Sequence, residues 1–143
     1  NSYDRLVPNA PAPTGIGWAY ENRTSAIRIP ASGPKARRIE HRVAGGDVNP
    51  YLTVAAVLGA ALNGIEDRAE PPAPIKGNAY EQGLAQLPAT WAEAIDAFET
   101  CPQIRRIFPA HLIENLVMTK RQELHYMAEL SDDETVELYL DTV

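Results

Sequence analysis

Residues 36–42, Ala-Arg-Arg-Ile-Glu-His-Arg, hold three arginines, a glutamate and a histidine in seven positions. Strand alternation sends Arg38, Glu40 and Arg42 to one side, and Arg37, Ile39 and His41 to the other. Arg5, Arg23, Arg28 and Lys35 add further cations upstream. Arginine suits phosphate and carboxylate because its planar fork binds two oxygens and keeps its charge when desolvated. Glu40 then has two readings. It is a neutralising ion pair for Arg38 and Arg42, or an oxygen ligand for a hard cation such as Mg2+ or Mn2+ that bridges to phosphate. Spacing alone leaves both open.

The elements that must position these groups follow from pattern. Residues 1–13 form a proline-rich loop. Residues 14–21 and 24–30 carry β-formers around Asn22-Arg23 and predict a hairpin, with residues 37–44 as a third strand. Asn49-Pro50 predicts a helix start, and the alanine-rich segment 51–65 reads as a helix buried on several sides. Residues 69–88 contain prolines and no core pattern, so they are expected to lie across a neighbouring surface. Thr90 with Glu93, and Ser131 with Glu134, have capping-box spacing. Between them, Leu112, Ile113, Leu116, Val117, Leu124 and Met127 form one helical stripe over 109–130. The expected class is α+β: about three antiparallel strands, then about four helices. With too few strands to close on itself, the sheet leaves edges for a parent protein to cover.

The chain has 143 residues, 45% hydrophobic and 22% charged, the balance of a globular domain. Residues 1–50 carry seven Lys/Arg against four acids, and residues 51–143 six against fifteen. The net charge is therefore +3 on the strand-rich part and −9 on the helical part. A basic sheet in a chain of pI about 5.0 fits a small anion and argues against nucleic acid, which meets broadly basic surfaces with interleaved aromatics. No apolar run reaches the roughly 20 residues that cross a bilayer. Cys101 stands alone, excluding an internal disulfide, and reads as a packed thiol in a reducing, cytoplasmic setting. His41, His111 and His125 read as partly solvated. The chain opens Asn1-Ser2-Tyr3, which reads as a piece of a longer protein.

Four motifs change the balance at Glu40. "NSYDRLVP", "NRTSAIRIP", "PKARRIEHR" and "NPYL", in this order, resemble the C-terminal part of the glutamine synthetase family, strongly over residues 1–67 and in helix layout beyond. Within it, the glutamate–putrescine ligase-like, γ-glutamylpolyamine subfamily is the suggested branch. The resemblance implies a catalytic-domain fragment, with 1–48 as active-site strands and loops and 49–143 as the helical part. It implies an ATP-dependent ligase of nitrogen metabolism that joins glutamate to an amine through γ-glutamyl phosphate, at a two-metal site. Position by position, it makes Glu40 a metal ligand and Arg5 and Arg42 contacts to glutamate. Arg23 becomes the catalytic arginine at the transferred phosphoryl group, and Arg28 and Lys35 join it as ATP contacts. A homo-oligomer, a dodecamer, is implied too, with the segment from Ser131 as an oligomer contact. The fragment alone is expected to be inactive.

Pro11, in "NAPAP", falls where the family's ammonia-using flap carries a glutamate. It has no acceptor for an ammonium proton, so an organic amine or polyamine is the expected substrate. Glutamine synthetase using ammonia is the alternative, and a non-catalytic structural or regulatory member is the alternative of another class. Tyr80 lies near a tyrosine that some bacterial members modify, and it reads here as a surface tyrosine.

Overall fold

The computed structural model describes residues 2–10 and 12–140; Pro11, on which the flap comparison turns, and residues 141–143 lie outside the described residues. The chain divides into two compact units, residues 1–48 with 68–89, and residues 49–67 with 90–143.

The first unit holds strands β1 (Trp18–Tyr20), β2 (Ile27–Ile29) and β3 (Glu40–His41) in the order β1-β2-β3. β2 and β3 are antiparallel, with Arg28 opposite Glu40. β1 and β2, however, run parallel, with Tyr20 beside Ile29. The expected hairpin is thus replaced by a short crossover, and the sheet is mixed. Parallel neighbours ordinarily need a long crossover, but a three-residue strand spans only about 10 Å, which the six residues 21–26 can retrace. Side chains fold that return. Asn22 Oδ1 accepts from the Thr24 N–H at 2.9 Å and from its hydroxyl at 2.7 Å. The buried Ser25 hydroxyl lies 2.8 Å from the carbonyl of Asn22 and 2.9 Å from that of Ile27.

The proline-bearing connector packs on this unit's own sheet. Ile75 N–H donates to the Trp18 carbonyl at 2.9 Å, Leu87 N–H to Thr14 at 2.8 Å, and Ile16 N–H to Ala85 at 2.7 Å. These bonds cover the outer edge of β1 at Trp18 and of the segment before it, while Ile75 and Ala79 bury with Ala19 and Leu84 packs against them. Gly17 permits the close approach, since a Cβ there would stand 2.5 Å from Ile75 Cδ1. Tyr80 is half-buried rather than a plain surface residue. Its hydroxyl donates toward the carbonyls of Ala10 and Ala12, the latter at 2.6 Å, tying the connector to the proline loop.

The second unit contains α1 (Pro50–Glu66), α2 (Trp91–Thr100), α3 (Pro102–Ile107), α4 (Ala110–Met127) and α5 (Asp132–Leu140). Asn49 caps α1 by accepting from the Tyr51 and Leu52 N–H groups, and Thr90 accepts from Glu93 N–H at the start of α2. Ser131 and Glu134 close the box at α5: the Glu134 carboxylate accepts from Ser131 N–H at 2.8 Å. The core is Ile95, Phe108, Ile113 and Val117, with Leu52, Ala56, Leu112 and Leu124 packed on it. The α4 stripe is therefore real. The expectation that α1 is buried on several sides is not met among the described residues. Tyr51, Val54, Leu58, Leu62 and Ile65 form an exposed line, because only the face through Leu52, Ala56 and Asn63 has neighbours. α3 was not expected, and it makes five α-helices among the described residues where about four were expected.

Candidate active site

Because Arg28 and Glu40 are register partners across β2 and β3, their side chains leave the sheet on the same face. Arg28 Nη1 donates to Glu40 Oε2 at 2.8 Å. Arg42, two positions along the chain from Glu40, donates from Nη1 to Oε1 at 2.6 Å. Each carboxylate oxygen is thus held by one guanidinium. The Arg42 bond, with that of Arg28 beside it, keeps the Glu40 carboxyl below the usual carboxylate range despite partial desolvation. The side chains of Arg28 and Arg42 are only 15% and 14% exposed and that of Glu40 33%, so the cluster is drawn inward but one side remains open.

The pairing differs from the one alternation suggested. Arg38 turns back to the Ala36 carbonyl at 3.3 Å. Its place beside Glu40 is taken by Arg28 from the adjacent strand.

The other expected site residues are distributed around this pair. Arg5 donates from Nη2 to the carbonyl of Val43, just beyond Arg42. Arg23 sits exposed in the crossover, and its carbonyl accepts from Arg42 Nε at 3.1 Å. It lines an open groove of about 610 Å³ with Tyr20, Asn22 and Lys76. Lys35 stands exposed on the single helical turn Pro34–Ala36. The structure thus brings Arg28, Glu40 and Arg42 together directly, tethers Arg5 and Arg23 to the same strand end through main-chain carbonyls, and leaves Lys35 on its own turn.

Glu21 is the residue that sequence reasoning missed. Its Oε2 accepts from Arg28 Nη2 at 2.9 Å, and its Oε1 accepts from the Ala31 N–H. The Ala31 bond first, then Arg28, lowers its carboxyl below the ordinary value. A hairpin would have left Glu21 at the turn, far from Ala31. Only parallel pairing, with Glu21 N–H on the Ile29 carbonyl at 3.1 Å, carries it there. The sheet direction was the missing signal.

The donor set fits a hard cation in part. Among the described residues no group of three or more His, Cys, Asp or Glu converges. Glu40 therefore offers a single carboxylate toward such a ligand set. His41, His111 and His125 are exposed. No helix among the described residues is long and apolar enough to cross a membrane.

Comparison with known proteins bears on this arrangement. The sequence model of the family described as "Glutamine synthetase, catalytic domain" matches residues 1–139. The γ-glutamylethanolamide synthetase GlnA4 of Streptomyces coelicolor is 41% identical over 124 residues, 87% of this chain and 27% of its own length. A glutamine synthetase of Methanocaldococcus jannaschii is 38% identical over 131 residues, 86% of this chain and 29% of its own. The chain therefore spans less than a third of these relatives. A solved structure of apo GmaS without ligand superposes with a TM-score of 0.74 at 34% identity, covering 93% of this chain and 31% of that one. Plasmodium falciparum glutamine synthetase shares the fold, with a TM-score of 0.75 at 20% identity over 97% of this chain and 36% of its own. The chain belongs to the glutamine synthetase family, as part of its catalytic domain.

Proposed function

We propose that the protein containing this chain is a cytoplasmic, ATP-dependent ligase that joins the γ-carboxylate of glutamate to an organic amine. In the reaction the γ-carboxylate takes the terminal phosphoryl group of ATP, releasing ADP. The amine then attacks the acyl carbon, phosphate leaves, and the amine loses a proton. The observation that supports this reading best is the carboxylate of Glu40 held between Arg28 and Arg42 on one sheet face. Fixed cations of this kind stabilise the oxygen charge that builds during phosphoryl transfer.

In this reading Arg5 and Arg42 hold glutamate, Arg23 meets the transferred phosphoryl group, and Arg28 and Lys35 meet ATP. Glu40 supplies one oxygen to Mg2+ or Mn2+, with the remaining ligands outside this chain. The cation, when bound, neutralises phosphate charge. With one ligand of the metal site, residues 1–143 alone are inactive. The exposed Val136 and Leu140 of α5 support a contact in a homo-oligomer, a dodecamer by family analogy.

The amine assignment rests on Pro11 and on the similarity to a γ-glutamylethanolamide synthetase. Use of ammonia is the second reading, favoured by the similarity to glutamine synthetases. Incubation of the full protein with ATP, glutamate, a divalent cation and an amine should yield ADP, phosphate and a γ-glutamyl amide. ATP consumption that does not depend on glutamate would contradict the proposal.

A further inference from the structure

We infer that Glu21 is a positioning residue: it holds the Arg28 guanidinium at the edge of the site while Glu40 exchanges its arginine contact for a cation. This rests on the ligase reading above. Arg28 divides its two terminal nitrogens between two carboxylates, Nη1 to Glu40 at 2.8 Å and Nη2 to Glu21 at 2.9 Å. Its Nε is buried and has no acceptor among the described residues. Those two carboxylates therefore set the direction of the guanidinium.

They are not equivalent anchors. Glu21 is itself fixed at both oxygens, by the Ala31 N–H on Oε1 and by Arg28 on Oε2. Its backbone is fixed too, at φ +50°, a left-handed conformation that a non-glycine residue adopts only when its surroundings hold it. Glu40, by contrast, carries an arginine on each oxygen, and a cation reaching Oε2 would be repelled by the guanidinium 2.8 Å away, which favours displacement of that contact. Were Oε2 to hold a cation, Arg28 Nη1 would be free for a phosphate oxygen while Nη2 stayed on Glu21. Without the Glu21 charge, Glu40 is the only anionic anchor left to Arg28. The guanidinium then stays on Oε2 and competes with the cation.

The test uses the full-length protein and Mn2+ as the probe, read by calorimetry or by the loss of the free Mn2+ electron resonance signal. Glu21→Gln should weaken Mn2+ binding by about three- to tenfold, the range of one charge-assisted contact, and weaken a non-hydrolysable ATP analogue in parallel. Its thermal midpoint should hardly move, since the pair is partly exposed. Glu21→Asp should recover most of the affinity. In an Arg28→Met background, Glu21→Gln should have no further effect, because its action runs through Arg28. Wild-type affinity in Glu21→Gln overturns the inference alone, and so does a loss that persists in the Arg28→Met background. A wild-type protein that binds neither Mn2+ nor the analogue overturns the ligase reading and this inference with it.

Discussion

Arg42 and Glu40 are two positions apart in sequence and joined at 2.6 Å through Nη1 and Oε1, so β3 and the residue that follows it bring an anion and a cation together. Arg28 completes the group from the next strand at 2.8 Å. Removing Glu40 would leave two largely buried guanidiniums facing each other without an intervening charge, a costly state. In the full-length protein Glu40→Ala should therefore raise the divalent cation needed for half-maximal activity and slow phosphoryl transfer, by about ten- to a hundredfold in kcat/KM. A cation titration of steady-state rate checks this. An unchanged cation requirement with normal turnover would return Glu40 to the role of an ion pair.

The helical unit should show an acid sensitivity of its own. Arg106 donates to Asp67 Oδ2 at 2.6 Å and to Glu66 Oε2 at 3.0 Å, and the Asp67 carboxyl is lowered chiefly by that Arg106 bond. A carboxyl with a depressed folded pKa stabilises above its unfolded value of about 3.9 and loses that contribution as pH falls through the folded pKa. Urea midpoints from pH 6 down to about 2 should therefore fall less steeply in Asp67→Asn than in wild type.

Gly59 faces Ile107 where α1 packs against α3. A Cβ there would meet Ile107 Cγ1 and Cγ2, each at 2.7 Å. Alanine recovers about 1 kcal/mol of helix propensity, but overpacking of this kind costs about 1–3 kcal/mol. Gly59→Ala should lower the thermal midpoint. The pair Gly59→Ala with Ile107→Ala should be more stable than the sum of the two single changes, because the second makes room for the first.

Deleting residues 131–143 tests the role proposed for α5. The helix buries none of its described side chains fully, and its reach to the rest of the unit includes the Tyr139 hydroxyl on Glu123 at 2.8 Å. The truncated full-length protein should sediment as a smaller assembly than wild type. An unchanged assembly size would remove α5 from the interface.

Local chemistry with a near-unique structural solution was readable in the sequence. Asn49-Pro50 and the Ser131/Glu134 pair each satisfy orphan helix N–H groups in one way, and α1 and α5 begin where those residues place them. The α4 stripe was legible for the same kind of reason, since an apolar period of 3.6 specifies a face. α3 was missed because six residues give no period, and its one signal, Pro102 after Cys101, marks a helix start as readily as a loop. The direction of β1 against β2 was lost because three-residue strands have no pattern that separates a hairpin from a tight crossover. That ambiguity hid Glu21, whereas Arg38 was placed beside Glu40 by alternation along the chain, which does not show that Arg28 reaches Glu40 across the β2–β3 register. The connector was illegible for a third reason: main-chain bonds hold it to β1 and to the segment before it, and these leave no trace in side-chain pattern.

The proposed ligase is distinguished by the amine it accepts. Ammonium entering an acyl-phosphate site must be desolvated and lose a proton to a nearby carboxylate. Pro11 offers none, whereas a larger amine can draw binding energy from its chain. The most direct measurement is kcat/KM of the full-length protein for ammonia, methylamine, ethanolamine and putrescine, each with ATP and glutamate. The account predicts at least about a tenfold preference for one of the organic amines, equivalent to roughly 1.4 kcal/mol at the transition state, and a gain of ammonia use in Pro11→Glu. A clear preference of the wild-type protein for ammonia would contradict it.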